Sequence, residues 1–327
     1  MNECILLWAP LDRDYLPGRV AEFPDVRMPI VGSIDDLPAL LPDADAMVML
    51  GHFYTAQSAP VIKAHGRKLR WIQLTTAGYD SVITHGAPPG AVVTNAGHSH
   101  GPMVAEHALM LLLALIRRLP AYGKRQAAHE FDRVIPLPLT TLEEATVAVI
   151  GLGGIGRETA RRAKAFGAHV LGVSNAGRPE PLVDEVFPAA GLHAALARAD
   201  AVVIAAALTE ATNGLIDTAA IAAMKPGAVL VNIARGAIVQ TAPLMAALHS
   251  GKLSGAGLDV ADPEPLPPGH PLWDCPNLII TPHISGIGSV PVRRRIGDVV
   301  MENLRRLRAG EALVHVVAGY DRHASTE

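Results

Sequence analysis

Short apolar runs recur along this chain, each followed by a longer stretch of mixed character. In the first third they are CILLW (4–8), AMVML (46–50), WIQL (71–74) and VVT (92–94). Further on come VAVI (147–150), HVLGV (169–173), AVVIAAA (201–207), AVLVNI (228–233) and LIIT (278–281), with AGLDV (256–260) a weaker member. These runs are apolar at successive positions, not at alternate ones, so they predict strands covered on both faces. Such strands belong to a parallel sheet with helices as crossovers. The longest apolar stretch, MVAEHALMLLLALI (103–116), falls in a helix predicted over 102–119. It is too short to span a bilayer and carries Glu106 and His107, so it reads as a buried helix. A second long helix is predicted around 288–309. The fold class expected is α/β, with doubly wound parallel sheets.

A chain of 327 residues is long for one domain. The glycine-rich segment GLGGIG (151–156) lies in the middle of the chain, not at its start. That placement predicts a discontinuous substrate domain, residues 1–100 and 288–327, and a dinucleotide-binding domain, residues 101–287. A small-molecule site is expected in the cleft between the two.

Composition narrows the partners. Half of the residues are hydrophobic but only 4% are aromatic, so the core must be mostly Ala, Val, Leu and Ile. The formal charge of −3 leaves no dominant basic face, which argues against nucleic acid. RRR (293–295) and RRLR (305–308) are expected on the solvated face of the C-terminal helix. The two cysteines, Cys4 and Cys275, are far apart in the chain, which argues against a disulfide scaffold and fits a reducing cytoplasm. The N-terminus does not read as a signal peptide. A soluble cytoplasmic protein is expected, with neither membrane nor nucleic acid as partner. No HExxH or paired CxxC points to a metal, and no GxSxG points to a serine hydrolase.

VAVIGLGGIGRETARRAKAFG (147–167) holds a full dinucleotide fingerprint in order. A strand leads into Gly151, Gly153 and Gly156, and an alanine-rich helix follows. The first glycine permits the tight turn and the second lets the backbone approach a pyrophosphate. The third brings the helix close to the sheet, with its N-terminus toward the phosphate charge. An acid is expected at the end of the next strand if the cofactor is NAD, to bond the ribose diol. Here Ser174 and Asn175 stand there, Arg178 follows, and the first acid is Glu180. The missing carboxylate and the nearby guanidinium favour NADP(H), with NAD(H) the alternative.

Three residues carry the candidate chemistry. Arg235 follows VLVNIA, Glu264 lies in DPEP, and His283 lies in TPHISG after LIIT. An arginine's planar fork suits the carboxylate and carbonyl of a 2-oxo acid. An imidazolium is a natural proton donor to a nascent alkoxide near neutral pH. A carboxylate on its other ring nitrogen orients it and favours its charged form. Secondary candidates are His52, His98 and His100, the turn at Gly78, and Asp259 toward the nicotinamide carboxamide.

TAGYD (76–80), VAEH (104–107), VAVIGLGGIG, VNIARG, GLDV…PEPLP and TPHISG together resemble the D-isomer-specific 2-hydroxyacid dehydrogenase family, from about Trp71 to about Leu307. The resemblance implies two Rossmann- or flavodoxin-like domains with the active site between them. It implies that Arg235 binds the substrate, Glu264 supports the histidine and His283 is the acid/base. Ala77 and Gly78 would offer N–H groups to the substrate carboxylate, with His52 and His100 nearby. Ile155 and Gly156 would meet the pyrophosphate, and Ala234, Asp259 and Gly286 would flank the nicotinamide. A homodimer through the nucleotide domains is implied as well.

The absent acid resembles the NADP-using glyoxylate/hydroxypyruvate reductase branch. His100 stands where many members have asparagine, and Ala207 where a proline is common. Glu264 stands where formate dehydrogenases of the superfamily carry glutamine, which argues for proton-coupled hydride transfer. The activity expected is reduction of a small 2-oxo acid to its D-2-hydroxy acid. The alternative is a dinucleotide-sensing, corepressor-like regulatory protein on the same fold.

Overall fold

The computed structural model describes residues 3–133 and 140–319. Among them are thirteen strands: β1 (Glu3–Trp8), β2 (Val26–Arg27), β3 (Ala46–Met49), β4 (Trp71–Leu74), β5 (Val92–Thr94), β6 (Thr146–Ile150), β7 (His169–Ser174), β8 (Glu185–Pro188), β9 (Ala201–Ile204), β10 (Ala228–Asn232), β11 (Leu253–Leu258), β12 (Leu278–Ile280) and β13 (Val316–Ala318). The chain divides into two compact units, one made of residues 1–100 and 288–327, the other of residues 101–287. Residues 1–2 and 320–327 of the first unit lie outside the described residues.

The discontinuous unit holds a six-stranded sheet in the order β13-β5-β4-β3-β1-β2. Every pairing is parallel except that of β13 with β5. The continuous unit holds a seven-stranded, wholly parallel sheet in the order β12-β11-β10-β9-β6-β7-β8. The first order is flavodoxin-like and the second Rossmann-like. Each reverses direction beside its first strand, and ligands collect at such a reversal, outside the carboxyl ends of the strands.

The apolar runs form these strands because both sheet faces are covered. In the continuous unit Ala148, Ile150, Leu171, Val202 and Leu230 pack into one core. Their alternates Val147, Val149, Val170, Val203 and Val231 pack into the other, with Leu111, Leu112 and Leu115 of the helix Gly101–Ile116. No helix of the described residues is long and apolar enough to cross a membrane.

Three strands lie outside the apolar runs. β2, β8 and β13 are partly exposed and lie at or next to sheet edges, so they lack a continuous apolar signal. The weak run at 256–260 proves to be the end of a full strand, β11. The helix expected over 102–119 ends at Ile116. Arg118 then turns left-handed (φ 57°) and a separate helix, Leu119–Ala127, begins with Pro120 in its first turn.

The arginines of the last helix, Val290–Ala309, do more than face solvent. Arg293 pairs with Asp14, Arg305 with Glu22 (3.4 Å) and Arg308 with Asp25 (2.5 Å), while Asp298 receives Arg19 (3.0 Å). They tie the segment after β1 to the last helix within one unit. Each exposed pair is weak alone, but the set fixes register.

Asn303 on the same helix is fully buried. Its amide donates to Gln73 Oε1 (3.0 Å) and to the Val314 carbonyl (3.1 Å), and its oxygen accepts from Val314 N (2.8 Å). Asn303→Ala should cost about 2–3 kcal/mol, because it leaves buried partners unsatisfied. Chemical denaturation followed by circular dichroism would read this, and an unchanged midpoint would contradict it.

Candidate active site

Three neighbouring strands deliver the three residues singled out above. β10 runs into Arg235, β11 into the loop bearing Glu264, and β12 into His283. All three lie in the continuous unit. His283 Nδ1 lies 2.6 Å from Glu264 Oε1. Glu264 is held below its ordinary carboxylic-acid range, first by the hydrogen bond from His283. Partial burial opposes the shift, while the His283 charge, the Ala261 backbone and the Arg235 charge reinforce it.

Local chemistry shapes each turn. Buried Asn232 accepts from Ala234 N (3.0 Å) and donates to the Arg235 carbonyl (2.9 Å), closing the turn that presents Arg235. A Cβ on Gly236 would lie 2.0 Å from the Ala261 carbonyl oxygen, so glycine lets this turn meet the segment that leads to Glu264. His283 itself is left-handed (φ 54°), an uncommon state for a residue with a Cβ. Its N–H donates to the carbonyls of Asp259 (2.7 Å) and Thr281 (3.0 Å). The Asp259 carboxylate, almost fully buried, accepts from Ile284 N and Ser285 N, both at 3.0 Å.

The glycine loop follows β6 at the reversal of the Rossmann-like sheet. Gly151 is left-handed (φ 95°), and a Cβ on Gly156 would lie 1.8 Å from the Gly151 carbonyl oxygen. A Cβ on Gly153 would meet nothing within 4 Å. The helix Gly154–Ala165 starts with no side-chain cap, so its first N–H groups remain for an anion. Exposed Gly153, half-buried Ile155 and buried Gly156 therefore fit a pyrophosphate cradle.

At the end of β7, Ser174 is half-buried, and Asn175 and Arg178 are exposed. The first acid after them, Glu180, is held by Arg157 at 2.8 Å and is only 12% exposed. Arg157 belongs to the first turns of the cradle helix and was not singled out from the sequence; its place directly after GLGGIG is the signal that was there. Ala234 is buried and Gly286 half-buried, each one residue from a turn described above or within it.

The remaining candidates lie in the discontinuous unit, past the carboxyl ends of its strands. His52 follows β3 and is exposed, and half-buried Ala77 and Gly78 follow β4. Asn95 Nδ2 donates to the Ala77 carbonyl (2.6 Å), bracing that turn. His100 is buried, its Nδ1 has no hydrogen-bond partner among the described residues, and its pKa is pushed down to about 4 by burial and by the Arg295 charge. It is a neutral imidazole at physiological pH. His98, beside it, is exposed and edge-on to His315.

Known proteins show the same architecture. The profile described as D-isomer specific 2-hydroxyacid dehydrogenase, NAD binding domain, matches residues 109–285. The chain belongs to the D-isomer specific 2-hydroxyacid dehydrogenase family. It is by that membership a nicotinamide-dependent oxidoreductase of 2-hydroxy acids. A glyoxylate reductase from Thermococcus gammatolerans is 36% identical over 251 residues, which are 75% of each chain. A family structure from Aeromonas salmonicida subsp. salmonicida superposes with a TM-score of 0.86 at 31% identity, covering 97% of this chain and 99% of that one. An NADPH-dependent glyoxylate/hydroxypyruvate reductase from Sinorhizobium meliloti, solved with NADP and sulfate, gives 0.82 at 28%, covering 97% and 100%. The chain spans about half the length (52%) of a D-3-phosphoglycerate dehydrogenase from Mycobacterium bovis, to which it is 36% identical over 85% of its own length.

The glycine geometry makes a direct prediction for this dehydrogenase fold. Gly156→Ala should destabilise the protein by about 3 kcal/mol or more, because the intruding methyl meets backbone. Gly153→Ala should leave the melting temperature nearly unchanged. Calorimetry on both variants checks the contrast, and equal melting temperatures would refute it.

Proposed function

We propose that the protein reduces a small 2-oxo acid of the glyoxylate or hydroxypyruvate kind to its D-2-hydroxy acid, with NADP(H) the favoured cofactor and NAD(H) the alternative. The observation that carries this reading is the 2.6 Å contact of His283 Nδ1 with Glu264 Oε1, on the loops after β12 and β11, next in sheet order to β10, which leads into Arg235. A bound reduced nicotinamide would supply the hydride that the carbonyl carbon accepts. His283 then gives a proton from Nε2 to the oxygen while its Nδ1–H stays on Glu264. The carboxylate compensates the ring's positive charge before transfer and fixes its orientation throughout. Arg235 pairs with the substrate carboxylate and polarises the adjacent carbonyl.

In this reading residues 101–287 are the dinucleotide-binding domain, and residues 1–100 with 288–327 are the substrate domain. Gly151, Gly153, Ile155 and Gly156 take the pyrophosphate. Ala234, Asp259 and Gly286 would flank the nicotinamide. Ala77 and Gly78 offer N–H groups to the substrate, with His52 and neutral His100 as further contacts. The NADP preference rests on Ser174, Asn175 and Arg178, and on the engagement of Glu180 by Arg157, which compensates the one acid near that end of β7. The reductive direction follows from that preference. Two free, buried cysteines support a cytoplasmic location.

Initial rates with NADPH and NADH, against glyoxylate, hydroxypyruvate, pyruvate and phenylpyruvate, test the reading. NADPH with the smallest acids should be fastest. His283→Ala should lower kcat by about 10²–10⁴ with dinucleotide binding nearly intact. Arg235→Ala should chiefly harm substrate use. Tight dinucleotide binding with no turnover of any acid would instead favour the sensor alternative.

We also propose a homodimer through the continuous unit. An open groove there is lined by Leu109, Met110, Leu113, Leu119 and Phe166 and bordered by the charged Glu106, Arg117 and Arg162, and Met110, Leu119 and Phe166 are each about half exposed. Contiguous apolar surface of this kind is what a self-complementary interface covers. Sedimentation velocity should give a dimer for the native protein and a monomer for Phe166→Glu combined with Met110→Glu. A native monomer at micromolar concentration would refute it.

A further inference from the structure

We propose that His107 and Thr281 are positioning residues for His283, acting through Asp259; this rests on the role of His283 given above. Asp259 grips the catalytic turn at several points. Its carbonyl accepts from His283 N (2.7 Å), its Oδ1 from Ile284 N (3.0 Å) and its Oδ2 from Ser285 N (3.0 Å). Thr281 Oγ1 donates to the same Oδ1 at 2.6 Å. Thr281 Oγ1 also lies 2.9 Å from Nε2 of His107, on the helix Gly101–Ile116. His107 Nε2 is itself 3.5 Å from Asp259 Oδ1.

Proton counting orders this chain. A threonine hydroxyl has one hydrogen. If it pointed at His107, two oxygens 2.6 Å apart would face each other with no hydrogen between them. The hydrogen therefore lies toward Asp259, and Thr281 accepts from His107, whose Nε2 must carry a proton. The direction runs His107 Nε2–H to Thr281 Oγ1–H to Asp259 Oδ1.

The arrangement has a use that Glu264 alone does not supply. Glu264 orients the ring through Nδ1, whereas Asp259 fixes the backbone from which the ring projects. That backbone is left-handed at His283 (φ 54°), a state that persists only where its surroundings over-determine it. Losing either outer member frees Asp259 to rotate and lets the turn relax, carrying His283 away from the reacting oxygen. Displacements of about 1 Å at a reacting group cost rate up to about a hundredfold.

The test compares Thr281→Val, Thr281→Ser, His107→Leu and His107→Gln with the native protein. kcat and KM for glyoxylate, the dissociation constant of NADPH by fluorescence and the melting temperature are measured on each. Valine and leucine should lower kcat by about tenfold or more, with KM and the NADPH constant within about twofold. Serine keeps the hydroxyl and glutamine keeps a side-chain N–H, so both should restore most of the rate. Adding Thr281→Val to His283→Ala should cost little further rate.

Equal rates for serine and valine would overturn the proposal, as would a lowered melting temperature with native kcat. So would a weakened NADPH constant at unchanged kcat, which would assign Asp259 to the cofactor alone. Should Thr281→Val fail to fold, the His107 pair decides by the same criteria. His283→Ala, run in parallel, separates the two readings. If it retains native turnover, the assignment of His283 is wrong; if it is inactive while Thr281→Val and His107→Leu are native, only the positioning role fails.

Discussion

A single buried carboxylate, that of Asp259, fixes the backbone from which His283 projects. Without it the left-handed turn after Thr281 would have two unsatisfied N–H groups and no reason to keep its shape. Asn232 does the equivalent work for Arg235, as acceptor to one residue and donor to the next. In both places a buried polar side chain just past a strand, or closing it, replaces the ladder bonds that the strand can no longer make. The reactive side chains themselves stay partly exposed because their neighbours carry the burden of order.

The sheets explain why these turns are adjacent. Strands that are parallel and covered on both faces can offer chemistry only at their ends, and their carboxyl ends all face one way. β10, β11 and β12 are successive neighbours, so the loops after them meet without any long-range folding of the chain. The glycine loop follows β6, where the sheet reverses and crossovers diverge to opposite faces. A dinucleotide bound there would lie at the same edge of the sheet as the loops after β10 to β12. The close approach of Gly156 to Gly151 brings the helix N-terminus onto that edge.

Much of this was legible in the sequence because burial on both faces leaves a plain mark. Runs such as VAVI and AVLVNI are apolar at every or nearly every position, and they became interior strands. β8, with the sequence EVFP, is an edge strand with a half-buried pattern, and periodicity cannot separate it from a loop. The helix break at Arg118 was missed because RRLPAY has helical spacing, and only the left-handed residue before Pro120 ends it. Arg235, Glu264 and His283 stood out through charged or titratable types at strand ends. His107 and Thr281 did not, since their meeting depends on a helix crossing the sheet 174 positions away in sequence. The arginine runs of the last helix looked like a solvated face because their acidic partners are near the start of the chain.

The discontinuous unit also has a consequence for synthesis on the ribosome. Its sheet is incomplete until β13 pairs with β5, and its N-terminal segment lacks its arginine partners until the last helix emerges. Residues 101–287 are contiguous and can close while they are being made. At roughly 5–20 residues per second, the first hundred residues wait on the order of ten to forty seconds with the β5 edge open. During that interval one edge of β5 lacks its strand partner, while the other can pair with β4. The first unit therefore gains its sixth strand only after the whole of the second unit has been made.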